Sequence, residues 1–287
     1  MSELDELERR PDGRSDEQAH TTTKDVETAG CEFRGTDLVI GYEEEPIIDG
    51  ESIEIPPGSI TALVGPNGSG KSTLLKGLAR QHEPESGTVL LDGRDAYDLE
   101  TKEFARKLGM LAQESAWPEG VTVEELAYHG RYPHRGFFEP VSDADQAAVD
   151  RAIDLAGVDE LRDREMGSLS GGQKQLAWIA MALAQETDVL LLDEPTTFLD
   201  LRHQLQVMET IERLNVESET TVALVLHDIE QAARYADHMV ALRDGTVYET
   251  GSPTTVVTEQ LLAAVFGVEA TINRHGEEPR VEPHRPI

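Results

Sequence analysis

The sequence predicts an α/β fold with a mostly parallel sheet, and two observations support this prediction. Short apolar runs alternate with segments whose apolar residues recur at helical spacing. A glycine-rich turn at 65–70 joins one such apolar run to a helix. Because strands that alternate with helices are typical of α/β folds, we expect the sheet to be mostly parallel.

The local pattern predicts each element in turn. Strands are predicted at 37–42, 52–55, 60–64, 88–91, 108–113, 188–192 and 221–226. Helices are predicted at 71–80, around 149–156 and around 176–183. The stretch from about 114 to 167 contains helical patterns and no convincing strand. We therefore expect a helical insertion in the α/β core.

The chain of 287 residues is long enough for a large domain that buries its own core. Residues 1–30 lack hydrophobic periodicity and are rich in acidic residues, threonine and arginine, which predicts a disordered acidic tail. Residues 31–270 are expected to form the folded domain. Residues 271–287 include several prolines and are expected to form a second, solvated tail.

The composition also indicates the cellular compartment. No apolar run approaches the ~20 residues needed to span a bilayer. The acidic N-terminus resembles neither a signal peptide nor a transit peptide. Cys31 is the single cysteine, which excludes an intrachain disulfide and a cysteine-based zinc site. A reducing, aqueous compartment is expected.

The net charge is −31, from 56 acidic and 25 basic residues. The first 30 residues carry −5, so −26 remains on residues 31–287. Such a field repels nucleic acid, and no nucleic-acid partner is expected. The surplus is spread along the whole chain, which favours adaptation to a salt-rich cytoplasm, as in haloarchaea, over an ordinary soluble surface with excess charge.

The strongest motif is a phosphate-binding loop between the strand 60–64 and the helix 71–80. It reads G-x-x-x-x-G-K-[ST] and consists of Gly65, Pro66, Asn67, Gly68, Ser69, Gly70, Lys71 and Ser72, followed by Thr73. Its glycines let backbone N–H groups approach phosphate oxygens, and the helix N-terminus adds the positive end of a dipole. We expect Lys71 to pair with the β- and γ-phosphates of ATP and Ser72 to ligate Mg²⁺.

Two carboxylates follow the apolar run 189–192. A buried strand here would aim Asp193 at the Mg²⁺ from the carboxyl edge of the sheet, where open α/β sheets bind ligands. Glu194 lies one position further along. It is the best candidate for the general base, or for the group that orients the attacking water.

A third motif, LSGGQ, immediately precedes the helix around 176–183. It consists of Leu169, Ser170, Gly171, Gly172 and Gln173. Ser170 can cap the helix, and the paired glycines expose backbone N–H groups to an anion. On its own this motif fits an ordinary capped helix equally well.

The order and spacing of these three motifs resemble those of the ATP-binding subunit of an ABC (ATP-binding cassette) transporter. The resemblance covers residues 33 to about 268. It implies a P-loop NTPase fold in which an antiparallel β subdomain accompanies the mostly parallel core sheet and the helical insertion. It also implies an ATPase that uses ATP and Mg²⁺.

The resemblance assigns further residues to the site. It implies that Tyr42 stacks on adenine, that Gln113 ligates and senses Mg²⁺, and that His227 contacts the γ-phosphate. Together with Glu194 and Lys71, Gln113 and His227 would form the catalytic group. The metal ligands would be Ser72, Gln113 and Asp193. Leu199 and Asp200 match a loop that crosses the dimer interface.

The resemblance further implies how the subunit works. In this family LSGGQ covers the ATP bound to a second copy, and this chain carries one set of motifs. A head-to-tail dimer that sandwiches the nucleotides is therefore expected. Its partners would be an integral membrane permease and, indirectly, an extracytoplasmic substrate-binding protein. The subunit would lie peripherally at the cytoplasmic face of the cell membrane.

Three stretches, 130–134, 195–204 and 227–237, are similar to ATPases of importers for iron–siderophore complexes, haem and cobalamin. An iron(III)–siderophore-type chelate is the expected cargo, with cobalamin or haem as the alternatives. The aromatic-rich segment 114–140 is expected to dock the permease. More distant alternatives are another transporter class and an ABC ATPase that transports nothing.

The charge analysis predicts a protein that salt stabilises. The thermal midpoint should rise by several degrees between about 0.1 M and about 2 M KCl, because the Debye length falls from ~10 Å at 0.1 M to ~3 Å at 1 M and self-repulsion becomes local. Differential scanning calorimetry at saturating Mg²⁺ and ATP measures this shift without a change in ligand occupancy. A midpoint that stays flat or falls would contradict the halophilic interpretation.

Overall fold

The computed structural model describes residues 30–42, 45–113, 120–136, 139–275 and 278–287. The strands are β1 (Phe33–Tyr42), β2 (Glu45–Ile55), β3 (Ile60–Val64), β4 (Ser86–Leu91), β5 (Arg94–Asp95), β6 (Leu108–Leu111), β7 (Val189–Leu192), β8 (Thr221–Val225), β9 (His238–Arg243), β10 (Thr246–Gly251), β11 (Val268–His275) and β12 (Glu278–Pro286). The helices are α1 (Lys71–Leu78), α2 (Thr101–Lys107), α3 (Val123–His129), α4 (Asp143–Ala156), α5 (Gly171–Ala184), α6 (Leu201–Ser218), α7 (Ile229–Tyr235), α8 (Pro253–Val256) and α9 (Glu259–Leu261).

The elements predicted from local pattern are present, with ends that differ by a few residues. The helix predicted at 71–80 ends at Leu78, and the strand predicted at 108–113 ends at Leu111. The predicted tail at 1–30 lies outside the described residues except for Gly30. Within the described ranges, no helix combines the length and hydropathy that a membrane crossing needs.

The core is a six-stranded sheet with the order β10-β9-β3-β8-β7-β6. Its strands are parallel from β9 to β6, and β10 is antiparallel to β9. Every residue of β3, β7 and β8 is buried. Successive residues of β3 point to opposite faces, so Ala62 and Val64 join one apolar cluster while Leu63 joins the other. The prediction of a mostly parallel sheet with a core on both faces is confirmed.

A second, antiparallel sheet has the order β2-β1-β4-β5. It packs against α1, where Ile40 and Ile48 share an apolar cluster with the leucines of that helix. The contact is close, since a Cβ at Gly77 would lie 2.3 Å from Ile40 Cδ1. The expected antiparallel β subdomain is therefore present, and it supports the helix that follows the phosphate loop.

The stretch around 114–167 is a helical insertion, as predicted, within the residues that are described there. Its helices α3 and α4 begin at capping boxes formed by Thr122 and Ser142. Both helices pack on α5, the helix that LSGGQ precedes. The insertion therefore carries the N-terminus of α5 at a fixed position relative to the core sheet.

A buried arginine fastens this insertion to the C-terminal end of α5. Arg131 Nε donates to Asp145 Oδ1 at 3.0 Å, while its Nη1 donates to Ala184 O at 2.7 Å and to Glu186 Oε2 at 2.8 Å. Both Arg131 and Asp145 are 5% exposed. Burial alone would raise the pKa of Asp145, but hydrogen bonds from Ser142 and the Arg131 guanidinium lower it to about 2. The pair is therefore ionised and joins three helices.

The expectation of a solvated C-terminal tail at 271–287 is wrong. Strands β11 and β12 form an antiparallel hairpin, and Ile272 and Val281 pack against the main apolar cluster. Val281 N–H donates to Glu230 Oε1 on α7 at 3.0 Å, and Pro279 is buried. Prolines are tolerated in β12 because it pairs only with β11 and lies at a sheet edge. The contacts that order this segment are distant in sequence.

Removing Arg131 should destabilise the fold strongly. We expect Arg131→Met to lower the free energy of unfolding by about 3–5 kcal/mol, because it leaves the Asp145 carboxylate buried without a cation. Arg151 offers a matched control, since it also pairs with Glu186 but its side chain is 60% exposed. Arg151→Met should cost less than about 1 kcal/mol. Equal losses for the two variants in denaturant titrations would contradict this account of the insertion.

Candidate active site

The phosphate loop runs from the end of β3 to the start of α1, as the motif predicts. Gly65 has a φ of 148°, and a Cβ there would lie 2.2 Å from the backbone oxygen of Leu242. No other residue type fits this turn, since both the conformation and the space exclude a side chain. The loop backbone therefore stays close to the sheet edge, with its N–H groups at the N-terminus of α1.

Lys71 lies inside the loop and is 4% exposed. Its Nζ donates to Gly65 O at 2.9 Å and to Pro66 O at 2.8 Å. Burial lowers the pKa of Lys71, and the carboxylates of Glu194 and Asp193 oppose that shift. The ammonium is thus a desolvated cation at the place where the motif would put phosphates.

A side-chain hydrogen bond joins the phosphate loop to the end of β7. Ser72 Oγ donates to Asp193 Oδ1 at 2.8 Å, and Asp193 is 3% exposed. Burial raises the pKa of Asp193, while the Ser72 hydroxyl acts in the opposite direction. A hydroxyl and a carboxylate at this distance are the oxygen donors that Mg²⁺ prefers, so the residues fit that ion.

Glu194 follows Asp193 and lies in the left-handed region, with a φ of 53°. Gln113 Nε2 donates to Glu194 Oε2 at 2.6 Å, and His227 Nε2 lies 2.6 Å from Glu194 Oε1. Thr197 Oγ1 also donates to Oε2, at 3.1 Å. A strained backbone and three polar neighbours therefore fix one carboxylate, an arrangement that is common at functional sites.

These residues surround a cleft of about 700 Å³. Its lining consists of Ile47, Asn67, Gly68, Gly70, Lys71, Ser72, Thr73, Gln113, Glu194, Thr197, Phe198 and His227. The structure thus brings most of the predicted catalytic and phosphate-binding residues to one place, including Gln113 and His227 from separate strands.

Among the described residues, the cleft lining does not include Tyr42 or any residue of LSGGQ. Tyr42 lies at the end of β1, is 49% exposed, and its ring lies 4.5 Å from the ring of His82. Its expected contact with adenine stays a prediction.

LSGGQ forms the start of α5, and its second glycine allows α6 to pack closely against it. Ser170 caps the helix in a capping box with Gln173, and Leu169 is buried beneath it. Gly172 lies against α6, where a Cβ would be 2.3 Å from Cγ of His203. A side chain at Gly172 would therefore displace His203. Ser170 and Gly171 are exposed.

The segment that contains Leu199 and Asp200 connects the cleft to this second motif. Asp200 caps α6 by accepting from His203 N–H at 3.0 Å, and His203 Nδ1 lies 2.8 Å from the same Asp200 Oδ1. The backbone bond to His203, then the bond to its ring, lower the pKa of Asp200. Leu199 packs partly against the main apolar cluster.

The sequence analysis did not identify Thr197, Phe198, His82 or His203 as site residues. Thr197 carried a weak signal, a hydroxyl residue three positions after Glu194. The other three carried none, because Phe198 faces the open cleft, His82 contacts Tyr42 across the fold, and the contact that brings His203 to the signature motif is with the distant Gly172.

The sequence profile described as "ABC transporter" matches residues 48–197, slightly more than half of the chain. The chain belongs to the ABC transporter family. It is an ATP-binding subunit with the ATPase activity of that family.

Curated relatives of this ABC subunit are ATP-binding proteins of transport and import systems. It is 46% identical over 240 residues to the ferric enterobactin transport ATP-binding protein FepC of Escherichia coli (strain K12), which covers 84% of this chain and 89% of the relative. It is 44% identical over 235 residues to the iron(3+)-hydroxamate import ATP-binding protein FhuC of Bacillus subtilis (strain 168), covering 82% of this chain and 87% of the relative. The cobalamin import ATP-binding protein BtuD of Halobacterium salinarum (strain ATCC 29341 / DSM 671 / R1) is 38% identical over 79% of this chain and 56% of the relative.

Solved structures show the same fold. A metal-chelate type ABC transporter in an inward-facing conformation superposes with a TM-score of 0.75 at 27% identity, covering 90% of this chain and 98% of that one. A bacterial ABC transporter cassette solved as a dimer superposes with a TM-score of 0.68 at 27% identity. The match covers 77% of this chain and 98% of that one.

Proposed function

We propose that this chain is the ATP-hydrolysing subunit of an importer for iron(III)–siderophore chelates. The observation that carries the ATPase chemistry is the Glu194 carboxylate, held between Gln113 and His227 beside the phosphate loop. The cargo rests on the relatives, since the two iron-chelate proteins are 46% and 44% identical and the cobalamin protein is 38% identical.

The hydrolytic step follows from the positions of the cleft residues. Lys71 offers its ammonium to the β- and γ-phosphates of ATP, with backbone N–H groups of the loop around them. Ser72, Asp193 and Gln113 would hold Mg²⁺, which would supply charge neutralisation for the phosphate oxygens. Glu194 orients a water molecule and takes its proton as the water oxygen attacks the γ-phosphorus. The bond from that phosphorus to the bridging oxygen breaks, and ADP and phosphate leave.

Gln113 and His227 exchange partners in this scheme. Both side chains lie within hydrogen-bond distance of Glu194. With ATP bound, we propose that His227 turns to the γ-phosphate and Gln113 to the Mg²⁺ and the attacking water. Glu194 is then free to accept a proton.

The second copy completes the site. The signature residues Leu169–Gln173 lie outside this chain's own cleft, in the part of the chain that the structure describes, and the exposed Gly171 faces outward. We propose that Ser170, Gly171 and Gly172 donate to the γ-phosphate bound by the partner, in a head-to-tail dimer. Closure would exclude water, and reopening after hydrolysis would drive an attached permease.

The wider assembly is proposed from the same family. The dimer would lie peripherally on the cytoplasmic face of the membrane, held by the permease, with the substrate-binding protein on the other side. The segment 114–140 is the proposed docking surface, although 114–119 and 137–138 lie outside the described residues. The boundary at about 114–167 remains a proposal for the insertion, whereas the folded domain continues past residue 270 into the β11–β12 hairpin.

Replacing Glu194 should separate binding from hydrolysis. We expect Glu194→Gln to bind ATP with normal affinity and to lower the turnover number at least about a hundredfold, because the amide keeps the shape but accepts no proton. Phosphate release and equilibrium nucleotide binding measure the two properties. Glu249→Gln is the matched control, since Glu249 is exposed on β10 and makes the same change of charge.

The same variant tests the cargo in cells. A strain in which Glu194→Gln replaces the normal chain should lose uptake of radiolabelled iron supplied as a hydroxamate chelate and keep cobalamin uptake. Normal turnover by Glu194→Gln would contradict its role as base. Lost cobalamin uptake with normal iron uptake would replace the proposed cargo by the alternative.

Complementation tests the trans arrangement. Lys71→Ala and Ser170→Arg should each inactivate a homodimer, whereas a mixed dimer contains one site with both lesions and one with neither. We expect mixing the two variants to restore part of the ATPase activity, toward half of the normal value per dimer. No recovery, with heterodimers shown to form by differential tagging, would contradict the head-to-tail arrangement.

A further inference from the structure

Phe198 is the most exposed large apolar side chain of the described residues, with 97% of its surface accessible. Its φ of 62° lies in the left-handed region, which is unfavourable for a bulky residue. Leu201, three positions later, is 71% exposed. An aromatic ring held in solvent by a strained backbone gives the isolated chain no stability. The arrangement indicates that something else covers the ring.

The segment 195–200, here called the crossing loop, joins the two halves of the site. Within this loop, Phe198 lines the same cleft as Glu194. At the C-terminal end of the loop, Asp200 is bonded to His203, whose ring lies against Gly172 of the signature motif. Phe198 therefore projects from the stretch of chain that lies between the cleft and LSGGQ.

This position has a geometric consequence in a head-to-tail dimer. Each composite site pairs the cleft of one copy with the signature motif of the other, so the two-fold axis passes between the cleft and the motif of each chain. The crossing loop of each copy must then lie close to that axis and face the partner.

We propose that Phe198 is an apolar anchor of the ATP-bound dimer, buried by the crossing loop and cleft rim of a second copy. The proposal rests on the head-to-tail dimer proposed above and names the residue that holds it together. An anchor of this kind suits the chain's charge, since two copies that each carry −31 repel one another and an apolar contact is independent of that charge.

The nucleotide and the permease are the other candidates to cover the ring. Phe198 lines the cleft, so a role in binding ATP within one chain would show as weaker nucleotide binding by the monomer. A role at the permease would leave the isolated dimer unchanged. Both alternatives are therefore distinguishable from a dimer anchor in the purified subunit.

The experiment measures the dimer constant at saturating Mg²⁺ and ATP in the Glu194→Gln background, by sedimentation velocity over a range of protein concentrations. Phe198→Ala removes the ring and keeps the strained Cβ, while Phe198→Gly removes both. Phe198→Tyr keeps the ring. Val216→Ala is the control, since Val216 is 73% exposed near the C-terminal end of α6.

We expect Phe198→Ala and Phe198→Gly to raise the dimer dissociation constant at least about tenfold, as truncation of an interface anchor does. Phe198→Tyr and Val216→Ala should leave it unchanged. ATP affinity, measured at concentrations where the protein is monomeric, should stay the same in all four variants.

Each contrary result overturns the proposal in an identifiable way. If Glu194→Gln remains monomeric with ATP bound, the head-to-tail dimer and the anchor are both wrong. If it dimerises and Phe198→Ala dimerises equally well, the anchor alone is wrong. If Phe198→Ala weakens the dimer but Phe198→Gly does not, the weakening comes from the strained backbone and not from the missing ring. If Phe198→Ala also lowers the ATP affinity of the monomer to the same extent, the ring binds the nucleotide.

Discussion

The parallel register of four adjacent strands determines where every catalytic side chain lies. Leu63 of β3 pairs with Val225 of β8, while β8 aligns with β7 and β7 with β6 along the same edge. The residues that follow these strands therefore emerge side by side. The phosphate loop, His227, Asp193 and Gln113 meet because they all lie just beyond the carboxyl ends of parallel strands. Without that register these residues would lie on separate turns.

Local sequence was sufficient to predict this part of the molecule for a physical reason. Strands such as β3, β7 and β8 are buried on both faces. Nearly all of their residues are therefore apolar, and such continuous apolar runs are recognisable in the sequence. The phosphate loop is equally local, since its glycines satisfy constraints imposed within a few residues. Local pattern accordingly predicts the fold class, the phosphate loop and Glu194, whereas the places of Gln113 and His227 follow from the resemblance to the family.

Other parts depend on contacts that no local pattern records. The hairpin β11–β12 is held by Ile272 and Val281 against the core and by a bond to Glu230 on α7, and its prolines and charges resemble a solvated tail when read alone. The contact between His203 and the signature motif could not be predicted either, because its neighbour Gly172 lies on a different helix. Such residues are defined by the assembled fold, and the sequence carries no separate sign of them.

The hairpin also changes how the end of this chain can be used. Glu230 belongs to the first turn of α7, a helix capped by Asp228, the residue directly after His227. Because β12 is bonded to Glu230, residues 278–287 are connected through one short helix to the loop that bears His227. A purification tag or fluorescent fusion at the C-terminus would pull on that helix.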